Sequence, residues 1–155
     1  MAGHPDDVVR DLLAGRLDSG AVQRIQRAEK DPGRREQVIR LEQQRVGFAD
    51  PILTCLQEHL FVVARGSGEP EILCDCGHAF GPWTRNWKEG ALVRQRDDTR
   101  DGSVYAGPRG ADPAWMILRE FSCPGCGTLL DVEMVPPGYP FIDNFRPRLP
   151  ERGAG

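Results

Sequence analysis

Cys74-Asp75-Cys76-Gly77-His78 and Cys123-Pro124-Gly125-Cys126-Gly127-Thr128 are the two stretches that decide how this chain folds. Each is a cysteine pair on a tight turn, and 46 residues separate Cys76 from Cys123. A divalent zinc ion takes four soft or borderline ligands in a tetrahedron, and two thiolate pairs supply them. Gly77 and Gly127 follow the pairs, where a residue free to adopt left-handed backbone lets the chain fold under the sulfurs. An ion held this way clasps segments that are distant in sequence, which is a zinc-ribbon-like plan. The expected ligands of one structural Zn2+ are Cys74, Cys76, Cys123 and Cys126. The short spacing of the first pair leaves open a set in which His78 replaces Cys74 or Cys76.

A redox reading competes for the second pair, because Cys123-Pro124-Gly125-Cys126 has the spacing of a thioredoxin-type dithiol. Such a dithiol needs its first cysteine at a helix N-terminus, where the dipole lowers the thiol pKa. Residues 129–135, Leu-Leu-Asp-Val-Glu-Met-Val, alternate as a strand does instead. The metal reading is preferred on that ground.

Working outward, Leu60-Phe61-Val62-Val63-Ala64 is rich in strand formers, and Gly66-Ser67-Gly68-Glu69-Pro70 reads as a turn. Residues 71–73 then pair back as a hairpin that carries the first cysteines at its end. Residues 80–88 read as a turn with two tryptophans, Trp83 and Trp87, that cover the zinc site rather than stack on bases. Strands are expected over 91–96 and 128–135, with an exposed polar loop over 97–113.

Before this unit the sequence predicts three helices. The first spans 6–17 and ends near Gly15. The second is capped by Asp18 or Ser19, runs to about residue 30 and buries Ala21, Val22, Ile25 and Ala28. The third takes Asp31 as cap and Pro32 as its first helical residue, and runs to about residue 45. Their apolar stripes are thin, so they pack either on the zinc domain or on a partner subunit, and the partner is favoured. Past Pro136, the run Pro137-Gly138-Tyr139-Pro140-Phe141-Ile142 supports neither helix nor sheet. It is an extended arm that either wraps a partner or folds on its own domain. Residues 147–155 have little to bury and are expected to be mobile. The expected class is α+β: helices over 1–50, a zinc-ribbon-like antiparallel β domain over 51–135, and a proline-rich arm and tail over 136–155.

Twenty basic and 23 acidic residues among 155 leave a net charge of −3, which is no footprint for nucleic acid. No apolar run approaches the ~20 residues of a membrane span, and the first 16 residues lack a signal peptide's apolar stretch. A cytoplasmic location is expected, and five cysteines with four in pairs suit a reducing compartment. Cys55, left over, reads as a small buried hydrophobe. The chain carries no phosphate-binding Gly-Lys-Ser/Thr loop, dinucleotide fingerprint or nucleophile elbow. His59 reads as solvated, and Asp75 and Asp143 have no acid or base companion in sequence. No catalytic or cofactor-binding residue is expected, since two thiolate pairs close the tetrahedron that a catalytic zinc keeps open.

The string Cys74-Asp75-Cys76-Gly77-His78-Ala79-Phe80, with Asn86-Trp87-Lys88, Trp115, Arg119-Glu120-Phe121, Cys123 to Leu129 and Asp131-Val132-Glu133, resembles the small gamma-type subunit of acetone carboxylase. It is also similar to the zinc-binding small subunit of acetophenone carboxylase. Asp11-Leu12, Gly15, Lys30-Asp31-Pro32 and Gln44-Arg45 extend the resemblance into the helices. It implies a zinc-bearing, non-catalytic scaffold in a hetero-oligomeric ketone carboxylase, a ligase that uses ATP to join acetone or acetophenone with bicarbonate into a β-keto acid. Large hydantoinase-like subunits would hold ATP, a divalent metal and the substrate. The alternative is a free-standing zinc-ribbon module that binds protein or nucleic acid.

Overall fold

Every residue of the run Leu60-Phe61-Val62-Val63 is fully buried, which requires cover on both faces of the strand it forms. The computed structural model describes residues 3–96 and 112–149 apart from 144 and 147, so most of the loop expected over 97–113 lies outside it. Three helices, α1 (Asp6–Leu13), α2 (Ser19–Arg27) and α3 (Arg34–Val46), precede two antiparallel sheets. The first sheet runs in chain order through β1 (Ile52–Gln57), β2 (Leu60–Val63), β3 (Glu71–Cys74) and β4 (Ala79–Pro82). The second consists of β5 (Leu92–Arg96), β6 (Ile117–Ser122) and β7 (Leu129–Val135), with β6 central.

The buried run is β2. Its alternate residues Leu60 and Val62 join Ile72 and Cys74 of β3 against Trp87, Phe121 and Cys123, so the two sheets share one core with the cysteines at its rim. Phe61 and Val63, with Ile52 and Leu73, face the other way and receive Ile39, Val46 and Phe48 from α3 and its exit. Each such side chain contributes ~1.5–3 kcal/mol when buried. A core this small is marginal against chain entropy, which makes an additional clasp valuable.

Local chemistry sets the helix ends. Asp18 caps α2 as expected, accepting from the Ala21 amide at 2.9 Å. Gly47 ends α3 in the left-handed region at φ 67°, where a side chain would be strained. Two expectations fail here. Asp31 accepts from the Gly33 amide at 2.6 Å in a local turn, so α3 starts at Arg34 and not at Pro32. The second helix stops at Arg27 because Lys30 Nζ bonds the Ile25 and Gln26 carbonyls at 2.9 and 2.7 Å, and α2 has no fully buried residue.

The second sheet buries charge. Lys88, 1% exposed, reaches Asp131 at 2.7 Å and Glu133 at 3.0 Å and lies 4.9 Å from the Phe121 ring centre. Glu133 also forms an ion pair with Arg119 at 2.6 Å. Breaking one side of a buried ion pair costs about 3–5 kcal/mol. Lys88→Ala is therefore expected to lower the unfolding free energy by about that much; a denaturant midpoint unchanged from the parent would refute the assignment.

Residues 139–141 return to the domain. Arg119 donates to the Tyr139 carbonyl at 2.6 Å, Asn86 donates to the Phe141 carbonyl at 3.0 Å, and the Phe141 ring stands edge-on to Phe121 at 5.2 Å. Tyr139, Ile142 and Phe145 stay exposed at 42%, 42% and 65%. Leu149 packs against the shared core, unlike the mobile tail expected from residue 147 onward. Among the described residues no helix is long and apolar enough to cross a membrane.

Candidate metal centre

The first cysteine pair leaves the end of β3 and the second lies between β6 and β7, so each sits where a strand turns. Cys74 accepts the sharp return of the chain through Gly77, at φ 89°, whose amide bonds the Cys74 carbonyl at 2.8 Å. Gly127, at φ 76°, repeats the arrangement with the Cys123 carbonyl at 2.8 Å. Both turns need a residue that tolerates positive φ.

These turns bring together the sulfurs of Cys74, Cys76, Cys123 and Cys126, all within 4.8 Å of one another. Cys74 and Cys126 are 3.8 Å apart, and Cys76 and Cys123 3.7 Å. A tetrahedron with metal–sulfur bonds of ~2.3 Å has edges of about 3.8 Å, and these two separations match it. Cys74 and Cys123 are buried while Cys76 and Cys126 are exposed.

Gly125 N–H donates to the Cys123 sulfur at 3.3 Å, and the backbone amides of Cys76, His78 and Thr128 act to lower the thiols of Cys74, Cys76 and Cys126. Amides aimed at sulfur favour the thiolate. The Thr128 hydroxyl, 3.1 Å from Cys126, pulls that thiol down to about 6. Burial acts oppositely on Cys74 and Cys76 and pushes both thiols up. A divalent cation supplies the charge that a buried thiolate such as Cys74 needs, and the four clustered cysteines can hold a metal such as zinc.

His78 is not among the clustered ligand atoms; its ring stands edge-on to Phe80 with centres 5.1 Å apart. The second turn passes directly over it. A Cβ on Gly125 would lie 2.9 Å from His78 Cβ and 3.3 Å from Cys76 Sγ, closer than carbon atoms normally approach. Gly125→Ala must push the two turns apart, and overpacking of this kind costs about 1–3 kcal/mol. Lower thermal stability together with faster metal loss is the expected outcome, and a variant indistinguishable from the parent in both would contradict this packing.

Asp75 is not isolated, as its sequence position suggests. His59 Nδ1 lies 2.7 Å from its carboxylate, Arg45 3.3 Å and Cys74 Sγ 3.4 Å. Burial opposes the carboxylate's charge, yet these three partners hold its pKa below the usual range. Arg45 in turn bonds Glu42 at 2.7 Å, a carboxylate only 5% exposed. The network ties α3 to the first turn. This network does not stand out in sequence, because it acts through spatial neighbours, and Thr128, though two residues from Cys126, carries no spacing signature of its own. Cys55 lies apart from the sulfur cluster against the α3-facing core, and burial raises its thiol to about 11, as suits a small hydrophobe.

Comparison with known proteins places these residues among relatives. The family model described as acetone carboxylase gamma subunit matches residues 46–152, a span that contains both cysteine pairs. The acetone carboxylase gamma subunit of Xanthobacter autotrophicus (strain ATCC BAA-1158 / Py2) is 36% identical over 141 residues, covering 90% of this chain and 84% of that protein. The acetophenone carboxylase beta subunit of Aromatoleum aromaticum (strain DSM 19018 / LMG 30748 / EbN1) is 31% identical over 88 residues, or 48% of this chain and 66% of its own length.

Proposed function

The chain belongs to the acetone carboxylase gamma subunit family, and on that premise we propose that it is the zinc-bearing structural subunit of an ATP-dependent ketone carboxylase. Membership brings other carboxylase subunits with it as partners. In this reading they are large, hydantoinase-like and cytoplasmic, and they carry ATP, a divalent metal and the ketone. Acetone is the favoured substrate class, since the acetone-type relative matches most of both chains and the acetophenone-type relative only about half of this one.

The observation that carries the metal assignment is the four-sulfur cluster with tetrahedral edge lengths. Cys74, Cys76, Cys123 and Cys126 would fill the coordination shell of zinc, whose chemistry in a closed thiolate site is structural cross-linking. The two turns would thereby be fixed to each other, and with them β3 to β6. Residues 1–50 serve as a helical appendage, 51–135 as the metal-bearing unit and 136–155 as the arm. The exposed Tyr139, Ile142 and Phe145 on a backbone pinned by Arg119 and Asn86 support the arm as a partner contact. Aromatic anchors at such contacts are often worth ~2 kcal/mol or more.

Co-expression with the large subunits tests this function. Affinity-tagged chain is expected to co-purify with them in fixed stoichiometry while holding one zinc of its own, and Phe145→Ala to weaken co-purification without changing zinc content. A chain that stays alone when the large subunits are present contradicts the proposal. Zinc retained by His78→Ala would agree with four thiolate ligands; zinc lost would place the imidazole in the shell.

A further inference from the structure

An unbroken file of rings leads from the candidate metal centre to the arm. His78 stands edge-on to Phe80 at 5.1 Å, Phe80 to Trp87 at 5.9 Å, Trp87 to Phe121 at 6.1 Å, and Phe121 to Phe141 at 5.2 Å. Its two ends are defined. His78 packs beneath Gly125 of the second cysteine turn, and Phe141 lies under the Arg119 guanidinium at 4.9 Å. Its middle is rigid, because Phe121 is fully buried, Trp87 is 9% exposed and both share a core with Cys74 and Cys123. Arg119, which donates to the Tyr139 carbonyl, pairs with Glu133, and Glu133 with the buried Lys88 beside Trp87. The arm is thus seated on the same side chains that the cysteine turns lean on.

We infer that metal occupancy and seating of residues 136–143 are coupled: the closed four-sulfur centre holds the ring file in the arrangement that receives Phe141, and the seated arm in turn slows metal loss. The inference rests on the metal reading above and adds a regulatory consequence, since only metal-loaded chain would present Tyr139 and Ile142 on a fixed backbone. Thermodynamic coupling is reciprocal, so the arm's effect on the metal measures the metal's effect on the arm. That direction can be read on folded, metal-loaded protein, without stripping the domain of its clasp.

The experiment uses the full chain loaded with zinc and follows transfer of zinc to a chromophoric chelator, with equilibrium affinity measured by competition. Wild-type stoichiometry is determined first; a wild type that carries no zinc overturns the metal reading and this inference with it. Given one zinc per chain, Phe141→Ala and a chain ending at residue 136 are each expected to weaken zinc binding by at least about fivefold, the low end of ordinary coupling. Trp115→Ala, which removes a ring that is 76% exposed, is expected to leave it unchanged. In a Phe80→Leu background the Phe141→Ala effect is expected to shrink, because the file is already cut. Deuterium exchange of residues 136–143 in zinc-loaded Phe80→Leu is expected to rise above that of wild type. Zinc affinity within twofold of wild type for both arm variants, or fully additive effects of Phe80→Leu and Phe141→Ala, overturns the coupling and leaves the metal centre standing.

Discussion

Cys126→Ser is expected to abolish cooperative folding of the β region, whereas Cys55→Ser is expected to leave a folded, metal-loaded chain. Both remove one sulfur from a free cysteine, and the difference lies in what that sulfur does. Cys126 sits 3.8 Å from Cys74 in the four-sulfur cluster, and Cys55 lies outside it against α3-facing residues. Structural zinc in small sites binds with ~10–16 kcal/mol, which matches or exceeds the ~5–15 kcal/mol of total stability typical of a domain. A serine oxygen leaves three thiolates and an open position. Far-ultraviolet circular dichroism through a thermal ramp, with metal analysis beside it, reads the outcome. A Cys126→Ser chain that melts sharply near the parental temperature would show that the cluster is not what holds the two sheets together.

The second large effect concerns the assembly. A carboxylase preparation lacking this chain is expected to lose turnover to background, and the purified chain alone is expected neither to hydrolyse ATP nor to carboxylate a ketone. The sequence contains no phosphate-binding loop. In the proposed reading the four clustered sulfurs would fill zinc's tetrahedron and leave no coordination position for water or substrate. Loss of turnover with nucleotide still bound to the large subunits would place the chain's role in organising their site. Sustained ATP hydrolysis by the isolated, pure chain would overturn the scaffold reading.

The cysteine turns were legible because metal ligation leaves a spacing signature that does not depend on the surrounding fold, and the combined string around them carried the family resemblance as well. The strands flanking the turns were legible for a related reason, as runs such as Leu60 to Val63 and Leu129 to Val135 have few other uses. Three strands were not anticipated, β1, β4 and β6. β1 is joined to β2 through Glu58-His59, which lacks the glycine or asparagine that marks a tight hairpin. β4 contains Gly81 and Pro82, which read as breakers, but it is an edge strand where a missing amide does no harm.

Side-chain networks were hidden for a deeper reason. Asp75 finds His59 across a hairpin and Arg45 from a helix, and Lys88 finds Asp131 and Glu133 more than forty positions away. Spacing along the chain says nothing about such meetings. The helices were found with their approximate bounds, yet the start of α3 was misplaced because an Asp-Pro pair can make a local turn as readily as a cap. The thin stripe of α3 favoured a partner subunit over its own chain's sheet as the surface it packs on. In the structure Ile39 and Val46 pack on the four-stranded sheet.

One zinc ion held by four thiolates is proposed to clasp the two sheets of this subunit. Metal analysis of the purified native chain, combined with thiol titration before and after chelation, tests that proposal most directly. One zinc per chain is expected, with a single slowly reacting thiol at Cys55 while the metal is bound and four more once it is removed. Five titratable thiols in a folded chain that holds no stoichiometric metal would contradict it.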